Sequence, residues 1–231
     1  MRSAKTIFIK QANDMFKNVG TLVQFTLFPA IALIMTLLIA VPSEDISNNM
    51  FVTMKAAMFA GMGLVTVVAS IIAEDRESKS LRLLVMAGVR PQEYLLGIGG
   101  FILLAGSVTA IIFGLIGDFT TMELVKFLAV LITGTAASII VGAIVGMLAK
   151  NQQAATSVGM PIAMVLGFTP MVANFSEPVE RFAMVLYTQQ INVVVNDFYG
   201  NFGRAMAVIT ANIAALVILF AVAYKKKGLR G

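Results

Sequence analysis

Glu74-Asp75-Arg76-Glu77-Ser78-Lys79-Ser80-Leu81-Arg82 is the densest cluster of charge inside the chain, and it stands between two long apolar runs, 51–73 and 94–117. Runs of that length can cross a bilayer core as helices, which takes roughly 20 apolar residues each. The charged stretch therefore has to face water. Four more apolar runs lie outward from it, at 19–41, 124–148, 157–175 and 205–224. Continuous apolar runs do not alternate as barrel strands do, so each is expected to be a helix that bonds its own backbone.

Composition agrees. Of 231 residues, 58% are hydrophobic and 13% charged, against about 25% charged in an average soluble domain. Six long apolar runs would leave a soluble protein little polar surface. The fold class expected is an all-α membrane protein, with 1–231 as one transmembrane domain of six helices. The first apolar run exceeds the 7–15 residues of a signal-peptide core, so the N-terminus is not read as a cleavable signal.

Direction follows from lysine and arginine. Arg2, Lys5, Lys10 and Lys17, then Arg76, Lys79, Arg82 and Arg90, then Lys150, then Lys225, Lys226, Lys227 and Arg230 all fall on one side of a six-span layout. Lys55, Lys126, Arg181 and Arg204 fall on the other. The richer side is expected to be cytoplasmic, with both termini, in a multi-pass cell-membrane protein. The net charge of +5 belongs to this asymmetry and not to a nucleic-acid partner; the bilayer is the partner it implies.

Residues 1–18 read as an interfacial helix ahead of span one. Ala4, Phe8, Ala12, Met15, Phe16 and Val19 share one face, with Lys10, Asn13 and Lys17 away from it. In span four, Gly134, Ser138, Gly142 and Gly146 recur every fourth residue, and span three repeats this with Gly106, Ala110 and Gly114. Small residues so spaced let helix backbones approach closely; the pattern fits packing within one subunit and a dimer seam equally. Pro161 and Pro170 predict that span five is kinked or broken. Between spans five and six, Ser176 and Pro178 signal a helix start. The run Phe182–Tyr187, too short to span, is expected to be a re-entrant or interfacial helix on the outer side, serving as a gate or as a lid.

Absences exclude several functions. No span centre carries a charge, and Lys55 lies about a turn from the outer end of span two. An ion-coupled carrier, which holds ionisable groups at mid-depth, is disfavoured. The G-x-x-x-x-G-K-[ST] phosphate loop is absent. With no histidine and no cysteine, neither a serine–histidine pair nor a histidine-based metal site can form. Glu74 and Asp75 are sequence neighbours, which do not face each other on a helix; they read as a capping and ion-pair region.

Span two is expected to continue as helix through Glu77. A short amphipathic helix then places Leu81, Leu84 and Val85 on one side, Gly88 ends it, and Arg90-Pro91 turns the chain into span three. A charge run alone reads as a solvated rim; apolar residues at helical spacing add a docking surface.

Here the sequence resembles the type-2 permeases of ABC transporters. Their loop after the second span runs acidic-Arg-Glu-x-Gly-Thr/Ser-Leu-x-x-Leu, and Asp75, Arg76, Glu77, Ser80, Leu81 and Leu84 match it, with Lys79 standing in place of the glycine. The resemblance implies a half-transporter. A second permease subunit would pair with it, as a homodimer or a heterodimer. Two copies of a cytosolic ABC ATPase would bind below, holding ATP and Mg; this chain would hold no cofactor and hydrolyse nothing. Segment 74–93 would contain the coupling helix, with the six matched residues docking the ATPase, and the cargo would be exported. A lipophilic small molecule, a lipid or a peptide fits the apolar interior. The alternative is a membrane scaffold or immunity protein that docks a cytosolic regulator.

Overall fold

A computed structural model describes residues 2–43, 46–47 and 49–227. Among these there are eleven α-helical segments and no strand. The first, α1 (Arg2–Lys17), stops at Asn18, whose side chain caps the next helix by accepting the Thr21 N–H at 3.2 Å. Span one is α2 (Val19–Met35), extended by a π-helical turn over Thr36–Ala40. Span two is α3 (Asn49–Met58), a second π turn over Phe59–Gly63, and α4 (Leu64–Glu77). A short α5 (Ser80–Met86) follows. Spans three to five are α6 (Pro91–Ile116), α7 (Thr121–Leu148) and α8 (Gln152–Ala173). Two short helices, α9 (Glu177–Ala183) and α10 (Gln189–Asn196), precede span six, α11 (Phe202–Lys227).

Local chemistry sets these boundaries. Arg90 is extended, as a residue before proline must be, and the Glu93 carboxylate accepts its N–H. Thr120 and Glu123 form a capping box at α7, and Asn151 accepts the Ala154 N–H at 2.8 Å to start α8. Six helices are long and apolar enough to cross a membrane.

Span two is the core of the bundle: 78% of its apolar window is buried, against 22% for span one, 28% for span five and 11% for span six. It is covered chiefly by α7 and α8, while α11 packs on α7 and α1 on α6. The exposed sides of α2, α8 and α11 carry Leu, Ile, Val and Met, as a face meeting lipid should.

Span five is one continuous helix with Pro161 and Pro170 inside it. Three expectations change. The run Phe182–Tyr187 is not a helix: α9 ends at Ala183, and the chain turns before α10. Lys55 is nearly two turns into its helix, half-buried, with its ammonium 3.8 Å from the Met58 sulfur. On α1, Phe8, Ala12 and Met15 pack against the core as one face beside the buried Ile7 and Gln11, but Val19 belongs to α2 and is 70% exposed.

Candidate functional site

The end of α4 and the start of α5 form one clasp, built from the charged stretch. Helix α4 ends before Lys79, whose N–H bonds the Arg76 carbonyl and which adopts φ 59°, left-handed for a side-chain-bearing residue. That is the position at which the resembled pattern has glycine, and glycine occupies this region without penalty. Gly88, at φ 78°, closes the other end of α5.

Each acidic or basic residue of the clasp has a separate destination. Asp75 is buried; its Oδ1 accepts from Lys10 Nζ at 3.0 Å and its Oδ2 from the Tyr94 hydroxyl at 2.8 Å. One carboxylate thus joins α1, α4 and α6. A buried charge needs such compensation, because unpaired it would cost several kcal/mol. Lys10 was expected to point away from the buried face of α1; its length lets it reach around the helix flank.

Arg76 turns toward the end of α7. One guanidinium nitrogen donates to the carbonyls of Met147 and Ala149, the latter at 2.9 Å. These belong to the last turn of a helix, where carbonyls lack intrahelical partners and a cation is favoured. Glu77 accepts the Gln152 N–H at 3.0 Å, at the opposite pole of the next helix. Adjacent residues of opposite sign therefore hold the C-terminus of α7 and the N-terminus of α8. Gln152 also donates to Ser70 at 2.7 Å.

Of the remaining matched residues, Ser80 is half-buried, with its hydroxyl 2.8 Å from that of Ser78. Leu81 is buried and Leu84 packs against the main core. The side chain of Val85 lies outside the described residues. The six matched residues are thus brought together, but Asp75 and Leu81 face inward: Asp75 ties the end of α4 to α1 and α6, and Leu81 packs α5 into the core. The large apolar side chains that α5 presents outward are Leu83 and Met86, 62% and 66% exposed.

The small residues of span four line the middle of the bundle. A Cβ on Gly142 would lie 2.7 Å from the Val68 Cβ and 2.8 Å from the Val65 carbonyl oxygen, and one on Gly146 would lie 2.9 Å from the Ala69 carbonyl oxygen. Both glycines therefore let α7 touch the backbone of α4 in the same subunit. Gly134 has more room, its nearest neighbour being the Tyr187 ring at 3.9 Å.

Ser138 does more than save space. Its hydroxyl lies 2.6 Å from the Ala60 carbonyl, 3.0 Å from the Gly134 carbonyl and 3.0 Å from the Tyr187 hydroxyl. Carbonyls only accept, so the one Ser138 hydrogen goes to them and the Tyr187 phenol completes the third contact. Ala60 belongs to the π turn of span two, and π turns displace carbonyls from the regular ladder. Gly61 in that turn meets α8 backbone to backbone: a Cβ there would be 2.6 Å from the Gly167 nitrogen. Tyr187 stands in the bend between α9 and α10. A buried chain of hydroxyls so connects the α9–α10 segment to the middle of span two.

The same bend accounts for two buried amides, Gln190 and Asn192, and the partly exposed Asn212, which the sequence reading passed over. Gln190 donates to the Met184 carbonyl at 2.8 Å, Asn192 to that of Pro170 at 2.9 Å, and Asn212 to that of Val185 at 2.9 Å. Side-chain amides replace the ladder that an irregular backbone lacks, which membrane depth requires.

Among the described residues no group of three or more acidic, histidine or cysteine side chains could hold a metal. The arrangement binds helices to one another. No curated protein matches the chain. Residues 8–224 match the family described as ABC-2 family transporter protein. The six apolar helices, the clasp after the second and a match over nearly the whole length make this multi-pass membrane protein a permease-type member of the ABC-2 transporter family.

Proposed function

We propose that the chain is the translocating subunit of an ATP-driven exporter, paired with a second permease subunit and driven by two cytosolic ABC ATPase subunits that bind ATP and Mg. The family membership supports the ATPase partner in general terms. The observation that carries the reading is the position of α5. It follows the end of α4, which Asp75, Arg76 and Glu77 tie to three other spans, and its Leu81 is buried, yet it leaves Leu83 and Met86 uncovered. An apolar pair at the water-facing end of a membrane bundle fits a pocket on a soluble partner. In this reading the side bearing α1 and α5 is cytoplasmic, as the lysine and arginine bias favours.

Work enters at α5 and reaches the spans through the clasp. A push on α5 moves the end of α4 and, through Arg76 and Glu77, the α7–α8 connection. Farther along span two, the π turn and the Ser138–Tyr187 contact carry displacement to the outer segment, which acts as the gate. The cargo is lipophilic: a small molecule, a lipid or a peptide.

The test is co-purification with the cognate ATPase. Leu83→Asp with Met86→Asp should abolish it while the permease alone keeps its thermal unfolding temperature. Leu81→Asp should instead lower that temperature, because Leu81 is inside. Retention of the ATPase by the Leu83/Met86 variant rejects the docking face.

A further inference from the structure

Beside the clasp, α1, the start of α2, the end of α4 and α6 enclose a crevice of about 420 Å³. It lies where span one begins and span two ends, at a boundary between water and hydrocarbon whichever way the chain faces. Gln11 lines it. That side chain is only 5% exposed, and its amide has no hydrogen-bond partner among the described residues. Gln11 thus holds its stem in the protein and turns an unpaired amide toward an open crevice.

The charges around it are unevenly used. Lys10 is shared by Asp75 at 3.0 Å and Asp14 at 4.0 Å. Lys17 and Glu74 also line the crevice, and neither has an ion pair among the described residues. The start of α2 adds positive character: Asn18 caps it through Thr21, while the first N–H groups of a helix have no acceptor within it and favour an anion. One side of the crevice suits an anion and the other, at Glu74, a cation. Met15, Ile71 and Phe101 make an apolar wall.

We propose that this crevice binds the headgroup of an aminophospholipid taken from the adjoining leaflet. The phosphate sits at the start of α2 beside Lys17. The primary ammonium lies at Glu74, and Gln11 supplies the buried hydrogen bond. The glycerol and upper acyl carbons lie on Met15, Ile71 and Phe101. A primary ammonium satisfies Glu74 and the Gln11 carbonyl by donation, which a trimethylated choline nitrogen cannot do.

The experiment is native mass spectrometry of the full chain in detergent, titrated separately with phosphatidylethanolamine, phosphatidylcholine and phosphatidylglycerol. Phosphatidylethanolamine should bind about tenfold more tightly than the other two, the worth of one hydrogen bond to a charged group. Gln11→Leu, which keeps an apolar volume in place, and Glu74→Gln should each erase that preference. Lys17→Gln should weaken all three lipids. Equal binding of the three lipids to the unaltered chain overturns the proposal, as does a preference that survives both Gln11→Leu and Glu74→Gln. Should Gln11→Leu not fold, Glu74 is exposed and its substitution decides alone. Displacement of bound lipid by millimolar glycerophosphoethanolamine would overturn the bilayer as the source and leave a soluble headgroup in its place.

Discussion

Arg76, the last basic residue of α4, donates to the carbonyl of Ala149 at 2.9 Å, 73 positions along the chain. It binds the end of span two to the end of span four through one guanidinium nitrogen that also reaches the Met147 carbonyl. Arg76→Lys keeps the charge but loses the planar guanidinium fork that holds this nitrogen in place. Both Arg76→Lys and Arg76→Ala should destabilise the purified chain. Arg76→Ala should cost about 1–2 kcal/mol, below the full worth of charge-assisted bonds because the side chain is half-exposed. Thermal unfolding in detergent reads this. If Arg76→Lys matched the unaltered chain, the two carbonyls would not depend on the fork.

Lys79 offers a gain of stability. Its φ of 59° strains a side-chain-bearing residue by about 1 kcal/mol. Lys79→Gly removes that strain but also loosens the unfolded chain, so a net gain of up to about 0.5 kcal/mol is expected. Gly88→Ala, at φ 78°, should lose a similar amount. Opposite shifts in unfolding temperature for the two substitutions check the assignment. A loss with Lys79→Gly would mean that the lysine side chain holds something in place.

The Asp75 junction separates two bonds of unequal worth. Tyr94 is fully buried, and Tyr94→Phe leaves one carboxylate oxygen without its donor, at a cost of about 1–3 kcal/mol. The Lys10 side chain is 44% exposed, so its coupling to Asp75 should stay under about 1 kcal/mol. A double-mutant cycle over Lys10→Met and Asp75→Asn measures the second value. Should it exceed the Tyr94→Phe loss, the carboxylate is drier than its exposure indicates.

The six spans were legible because length and apolar content alone decide that a segment crosses hydrocarbon, and no tertiary contact can override it. The clasp was legible as a place and less so as a mechanism. Asp75, Arg76 and Glu77 stood out as charges beside a membrane, yet their partners include Lys10, Tyr94 and the backbone at 147–152, which no local pattern connects to them. Leu81 was read as outward because an amphipathic helix does not reveal which of its neighbours covers the apolar side. The π turns at 36–40 and 59–63 leave the apolar run intact, so nothing in the residue order marks them. Nothing local marks Gln190 and Asn192 for burial; they are buried because backbone carbonyls around an irregular bend need donors.

Gly142 and Gly134 share one stripe, but their surroundings differ, and substitution should tell them apart. Gly142→Val drives a side chain against the Val65 carbonyl and Val68, and overpacking of this kind costs about 1–3 kcal/mol or more. Gly134→Ala has 3.9 Å of clearance and should be nearly neutral, gaining a little from helix propensity. Unfolding measurements on the dispersed subunit check both. If Gly142→Val left the single subunit stable and altered only its pairing with a second permease subunit, the stripe would be a seam between subunits.

Ser138 and Tyr187 should separate stability from coupling. Ser138→Ala leaves the Ala60 carbonyl in the π turn and the Tyr187 hydroxyl both short of a partner, at a cost of about 1–3 kcal/mol. Tyr187→Phe removes only the outer half of the chain of hydroxyls: Ser138 keeps the Ala60 carbonyl, so the loss should be near 1 kcal/mol. If this chain carries displacement from span two to the outer segment, Tyr187→Phe should leave ATP hydrolysis by the assembled transporter intact and lower the cargo moved per ATP. A merely structural hydroxyl would lower both together, in proportion to the amount of folded protein. The ratio of transport to hydrolysis, measured in vesicles with the partner ATPase present, distinguishes these outcomes, and an unchanged ratio removes Tyr187 from the transmission path.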